Sequence, residues 1–351
     1  MIKPLTSLRF FFAFFVFLSH LSILKNTPYQ HIFENFFSEG FVGVSFFFIL
    51  SGFILAFNYK DKIETKKVTL KKFYIARFAR IYPLHLATLL ISIPLFYNGI
   101  TILIANVFLL QSYFPKEEIF FSYNAPSWSI SAEFFFYALF PMIIYFGVKM
   151  KDFTKIILVL IFITIVILLN LYLPGENIHY WVYISPFTRI FDFIVGIFLF
   201  DLYQYFKNND LKFNNKFSNI LEIASFATIF VFFIFKDYIS INFRYSIYYW
   251  IPICMLIFSF ALTFLLSKNN NIISKFLSYK WLVYLGEISF AFYMIHYLVI
   301  DVLIRFNKFL GYEISEINLI IIMFIITLVS SIFAFEKIEK LFNKKIKNFF
   351  L

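Results

Sequence analysis

Arg9 and His20 are two ionisable residues inside the first apolar stretch of the chain, 11 residues apart. At about 100° per residue a helix returns them to within about 20° of one face, roughly 16 Å apart along its axis. An ionisable side chain inside an apolar span costs a few kcal/mol to insert, so each marks a candidate site. Taken alone, His20 reads as an interfacial histidine and Arg9 as a snorkelling boundary residue. Together on one face they read as the wall of a polar channel.

A second group is Arg77-Phe78-Ala79-Arg80-Ile81-Tyr82-Pro83. Two arginines three apart meet on one helical face, and their forked guanidinium groups suit phosphate oxygens. The chain has 25 lysines and six arginines, so a protein that draws its positive charge from lysine has still placed arginine at this pair. A third group opens Pro126-Ser127-Trp128-Ser129-Ile130-Ser131-Ala132-Glu133, where Ser129, Glu133 and Tyr137 follow at i, i+4 and i+8 as one polar stripe on an aromatic helix. Trp128 and Tyr137 also suit an interfacial belt, a reading Glu133 does not share. Arg189 and Asp192 at i, i+3 form either a neutralised pair or a site. Glu287, Tyr293 and His296, spaced 0, 6 and 9, do not all share a face. His31, His85 and His179 fall in loops or at span ends.

The elements that must position these residues are membrane helices. Apolar residues are 61% of 351 and charged ones 15%, with mean hydropathy +0.81, and Phe alone occurs 57 times. Soluble domains run at roughly 45–50% apolar and about 25% charged. The single Cys254 excludes a disulfide framework and a CxxC metal pattern. Windows of about 20 apolar residues predict an all-α membrane protein with ten spans. These cover residues 5–24, 39–58, 82–98, 125–148, 156–173, 184–206, 218–235, 247–266, 281–304 and 315–336. Residues 100–114 are too short for another and read as re-entrant or interfacial. The Lys- and Arg-rich loop from Lys60 to Arg80 is cytoplasmic by the positive-inside rule. The basic loops at Lys149 to Lys155, Lys207 to Lys216 and Lys268 to Lys280, and the tail after Lys337, then also fall inside, with both termini. Residues 1–351 read as one membrane domain without a fused soluble one.

In this order the residues resemble the acyltransferase-3 family of integral membrane acyltransferases. The matching runs are Ser7-Leu8-Arg9 with His20, Gly40 to Val44 through Phe46 to Phe53, Arg77-x-x-Arg80-Ile81-Tyr82-Pro83, Trp128 to Glu133 with Phe136-Tyr137, Arg189 to Gly196, and Leu285-Gly286-x-x-Ser289-Phe290-x-x-Tyr293-x-x-His296. Ile338-Glu339-Lys340-Leu341 departs from a common I-E-x-P run by lacking the proline, and Ser289-Phe290 stands where Ser-Tyr is common.

The resemblance implies transfer of an acyl group, usually acetyl, from cytoplasmic acyl-CoA (acetyl-CoA as co-substrate, with no permanently bound cofactor and no metal) to a carbohydrate hydroxyl of the cell envelope. The protein would sit in the inner membrane among its lipids, with no nucleic-acid partner. It makes His20, Arg9 and Glu133 the expected catalytic set, with Arg77 and Arg80 on the donor phosphates. Trp128, Ser129, Tyr137, Arg189 and His296 would contact the acceptor, and Glu133 would orient His20 or bind sugar hydroxyls. A transporter or flippase for an anionic or glycan intermediate would use the same buried charges, but it requires no arginine pair at the cytoplasmic face.

Overall fold

The computed structural model describes residues 2–209, 214–236, 249–266, 271–311 and 314–351, and these are helical with connecting turns and no strand. Lys212, Lys268 and the first two residues of the expected 247–266 span lie outside the described residues. Twelve helices of eight residues or more are used below. They are α1 (Lys3–Ser19), α2 (Val42–Glu64), α3 (Leu70–Ser92), α4 (Ile100–Val107), α5 (Ser127–Lys149), α6 (Asp152–Tyr172), α7 (Pro186–Asn208), α8 (Asn215–Ile234), α9 (Trp250–Leu266), α10 (Lys280–Leu310), α11 (Glu316–Ala334) and α12 (Lys340–Phe350).

Each of the ten expected spans overlaps one of α1–α3 and α5–α11, although α3 covers Leu70–Ser92 against an expected 82–98. Among the described residues, six helical runs are long and apolar enough to cross a membrane: Gln30–Glu64, Ser127–Gly147, His179–Asn208, Asn215–Ile234, Lys280–Phe309 and Glu316–Phe350. Their outward faces carry exposed Ile, Leu, Val and Phe such as Leu202, Phe230, Ile325 and Val329, so this is a multi-pass membrane protein. The other expected spans, α1, α3, α6 and α9, fall short for visible reasons, and in α6 and α9 the apolar part is only Ile157–Leu169 and Trp250–Phe264. Helix α1 has 17 residues, about 25 Å against a hydrocarbon core of about 30 Å. The first turns of α3 carry Lys71, Lys72, Arg77 and Arg80. In the stretch expected to be re-entrant or interfacial, helix α4 has only eight residues, about 12 Å, and does not reach across.

Glycine sets the closest helix crossings. A Cβ on Gly52 of α2 would lie 1.9 Å from the Phe193 carbonyl oxygen of α7, and one on Gly196 1.9 Å from the Ile49 oxygen. A Cβ on Gly286 of α10 would lie 1.9 Å from the Thr6 oxygen of α1. Without a hydrophobic drive between helices in lipid, such backbone proximity supplies the packing. Gly43 of α2 packs on Phe12 and Val16 of α1, so α1 is held between α2 and α10. The pairs run parallel: Ser45 meets Arg189, and Lys60 meets Asp201 further along α2 and α7; Thr6 meets Gly286, and His20 meets His296 further along α1 and α10.

Candidate active site and its approach

Two cavities share the wall formed by Arg9, Leu50, Ile54 and Arg80. The inner one, of about 180 Å³, is lined by the arginines Arg9, Arg77 and Arg80 at one end and by Ser129, Glu133, Tyr137, Ser289 and Tyr293 beyond them. The outer vestibule, of about 600 Å³, is bounded by the start of α1, the end of α2 and α12. Both chain ends therefore stand at one end of the bundle.

The stripe expected on α5 is present and partnered. Tyr137 donates to Glu133 Oε1 at 2.5 Å, and Ser51 Oγ of α2 donates to the same oxygen at 3.0 Å. The Ser51 and Tyr137 hydroxyls are 3.2 Å apart. Arg9 lies within electrostatic reach of Glu133, so the cavity floor is a carboxylate held by two hydroxyls and faced by a guanidinium. Ser129 Oγ is 2.8 Å from the Tyr293 hydroxyl, which ties α5 to α10 at the far end.

His20 caps the C-terminus of α1. Its Nδ1 is 2.8 Å from the Val16 carbonyl oxygen. A carbonyl only accepts, so the proton is on Nδ1 and the lone pair on Nε2. The second nitrogen near Nδ1 is His296 Nε2, at 3.3 Å. His296 Nδ1 is in turn 2.6 Å from the Tyr293 oxygen, which by the same argument protonates Nδ1 and leaves Nε2 to accept from His20. The partner of His20 is thus His296, and Glu133 is occupied elsewhere. His20 stands outside the lining of both cavities. Gly43 packs on Phe12 and Val16 of α1, and its neighbour Val44 lines the inner cavity. The cavity therefore reaches the depth of Phe12 to Val16, one to two turns or about 6–12 Å short of His20.

The arginine pair has two different environments. Arg77 Nη2 donates to the Tyr59 hydroxyl at 3.1 Å and lies over the rings of Tyr59 and Tyr137. Arg80 pairs with Glu339, which sits on the π-helical turn Phe335–Glu339 joining α11 to α12. Such a turn shifts the register of a helix, and it aims a buried carboxylate at Arg80.

Three expected acceptor contacts lie outside the lining of both cavities: His296, which is paired with His20, Arg189 and Trp128. Arg189, 2% exposed, pairs with Asp192 at 2.9 Å and donates to Ser45 Oγ at 3.0 Å, while Trp250 Nε1 donates to Asp192 Oδ1 at 2.6 Å. Trp128 is packed among Phe48 and Tyr183.

A family profile described as "Acyltransferase domain" matches residues 3–336. The chain belongs to the acyltransferase-3 family. Similar proteins include Acyltransferase MdmB of Streptomyces mycarofaciens, 36% identical over 40% of this chain and 38% of that protein. The Peptidoglycan O-acetyltransferase OatA of Listeria monocytogenes is 26% identical over 74% of this chain and 45% of its own length, and the O-acetyltransferase OatA of Staphylococcus aureus 26% over 77% and 47%. The chain thus spans less than half the length of these relatives. No solved structure matches.

Against the acyltransferase-3 motifs, sequence reasoning missed three partners. Ser51 lies inside the matched Ser-Gly run but shows its role only against Glu133. Glu339 was noted for the proline absent nearby, yet it is the counter-ion of the motif's Arg80. The His20–His296 contact joins the first and last motifs across 276 positions.

Proposed function

We propose that this protein is a membrane O-acyltransferase that moves an acyl group, acetyl by default, from cytoplasmic acyl-CoA to a hydroxyl of an envelope carbohydrate. The observation that carries this reading is the run of two cavities from a basic vestibule, past Arg80 and Arg9, to within two turns of His20. The positive-inside rule puts the vestibule, with both chain ends, on the cytoplasmic side of the inner membrane after ten crossings. Acyl-CoA phosphates then meet Arg80 and Arg77 at the mouth, and the pantetheine arm follows α1 inward.

At its inner end His20 Nε2, bearing the lone pair, takes the proton of the acceptor hydroxyl. The alkoxide oxygen attacks the thioester carbonyl, the carbon–sulfur bond breaks, and the leaving thiolate recovers a proton from the imidazolium. Glu133, Ser129 and Tyr137 offer hydrogen bonds to sugar hydroxyls. The relatives named as O-acetyltransferases, one of them of peptidoglycan, support this class of acceptor.

The test is mass spectrometry of envelope glycans from cells with the gene, without it, and complemented with His20→Ala whose membrane insertion has been verified. Loss of acetyl groups in the second and third strains is expected. Unchanged acetylation in the deletion strain, or restoration by His20→Ala, would overturn the proposal and leave a transport role to be tried.

A further inference from the structure

The vestibule wall contributed by α12 is the least explained part of the approach. Lys340, Asn343, Lys344 and Lys347 line it, at spacings of three, four and seven, which is one face of a helix. The opposite side of α12 carries exposed Leu341, Phe342, Phe349 and Phe350, so the helix is amphipathic with its cationic face turned to the cavity. Helix α12 packs on α3, and Lys347 lies within electrostatic reach of Arg77 and Arg80. Five cations (Arg9, Arg80, Lys340, Lys344 and Lys347) therefore line this cavity against the carboxylates Glu287 and Glu339. Glu339 is paired with Arg80 and Lys340 with Glu336. Lys344 and Lys347 carry the remaining excess positive charge, at the rim.

We propose that Lys344 and Lys347 of α12 form a phosphate subsite of the vestibule that holds the nucleotide end of the acyl donor while its arm passes Arg80 and Arg9. This rests on the acyl-CoA reading above and extends it to a helix that follows the matched residues 3–336. The dimensions agree with this division. Lys347 is seven residues beyond Lys340, about 10 Å along α12, so the helix reaches phosphates standing clear of the cavity mouth. Lysine suits this role because a mobile point charge follows a phosphate that need not be held in one orientation. The same charges would also attract the phosphates of an anionic lipid, so the experiment separates the two sources.

The full-length protein, in nanodiscs of phosphatidylcholine alone, is titrated with CoA and with pantetheine, which carries no phosphate. Lys344→Ala/Lys347→Ala is expected to weaken CoA binding about tenfold or more, equivalent to about 1.4 kcal/mol, and to leave pantetheine binding as in the wild type. Lys345→Ala, on the same helix but outside the vestibule lining, should bind CoA normally. Equal CoA affinity in the double variant and wild type would overturn the proposal, as would an equal loss for pantetheine, which marks a damaged fold. A CoA affinity that responds to the double substitution only when phosphatidylglycerol is added would assign the lysines to lipid and overturn it too. Wild-type protein that binds neither compound would instead overturn the donor reading itself.

Discussion

At the scale of single residues, the proposed chemistry depends on which nitrogen of His20 is free. Val16 and His296 both stand at Nδ1, so the site selects a tautomer as well as a position. His20→Ala removes the proposed base and should lower kcat by about 10²–10⁴, the usual worth of general-base catalysis. His296→Phe keeps the packing but removes one of the two acceptors. Because Val16 remains, we expect a smaller fall, about tenfold, with the donor KM unchanged; a fall as large as that of His20→Ala would mean His296 is itself the base. At the other end, Arg80→Ala should raise the donor KM more than the acceptor KM, and the opposite pattern would refute its place on the donor. Arg9 and His20 were legible in the sequence because a charge in an apolar helix is conspicuous. Glu339 and Ser51 were not, because a carboxylate beyond the last span and a serine in an apolar run acquire meaning only from what they face. Arg189 stood out equally, but its charge is absorbed by Asp192 and Ser45, and no sequence spacing distinguishes a satisfied charge from a waiting one.

The elements were largely legible, since each of ten apolar windows became a helix. What the windows could not give is how closely those helices approach. Gly52 and Gly196 are complementary contacts in one crossing, each facing the other helix's backbone at a distance no Cβ tolerates. Gly196→Ala therefore forces α7 away from α2, and overpacking of this kind costs about 1–3 kcal/mol. Thermal unfolding in detergent should show a lower midpoint, whereas Gly147→Ala, with open space around it, should not. Gly286→Ala moves α10 against α1, the helix that carries both Arg9 and His20. It should lower turnover more than its loss of stability accounts for, and equal turnover per folded molecule would argue that α1 tolerates displacement. The π-helical turn at Phe335–Glu339 left no sequence mark, since its consequence, aiming Glu339 at Arg80, lies in another helix.

At the scale of the whole molecule, helix direction constrains the number of crossings. Helices α1 and α10 run parallel, as do α2 and α7, so an odd number of crossings lies between the members of each pair. Ten spans satisfy this: α2 and α7 are second and sixth, α1 and α10 first and ninth. An added crossing by α4 would make α7 the seventh and α10 the tenth, and both pairs would be antiparallel. The eight residues of α4 argue the same way. The expectation can be read on intact cells with a membrane-impermeant thiol reagent, in a Cys254→Ser background that removes the chain's one cysteine. Cysteine placed at His31, Glu118 or Ser315, all exposed, should label from outside. Cysteine at Lys66, Lys151 or Lys345, also exposed, should label only after the membrane is opened. If α4 crosses, the reagent would reach Lys345 and not Ser315 while His31 still labels. That result would put the vestibule formed by α12 and the start of α1 on two sides of the membrane at once, which its shared wall forbids.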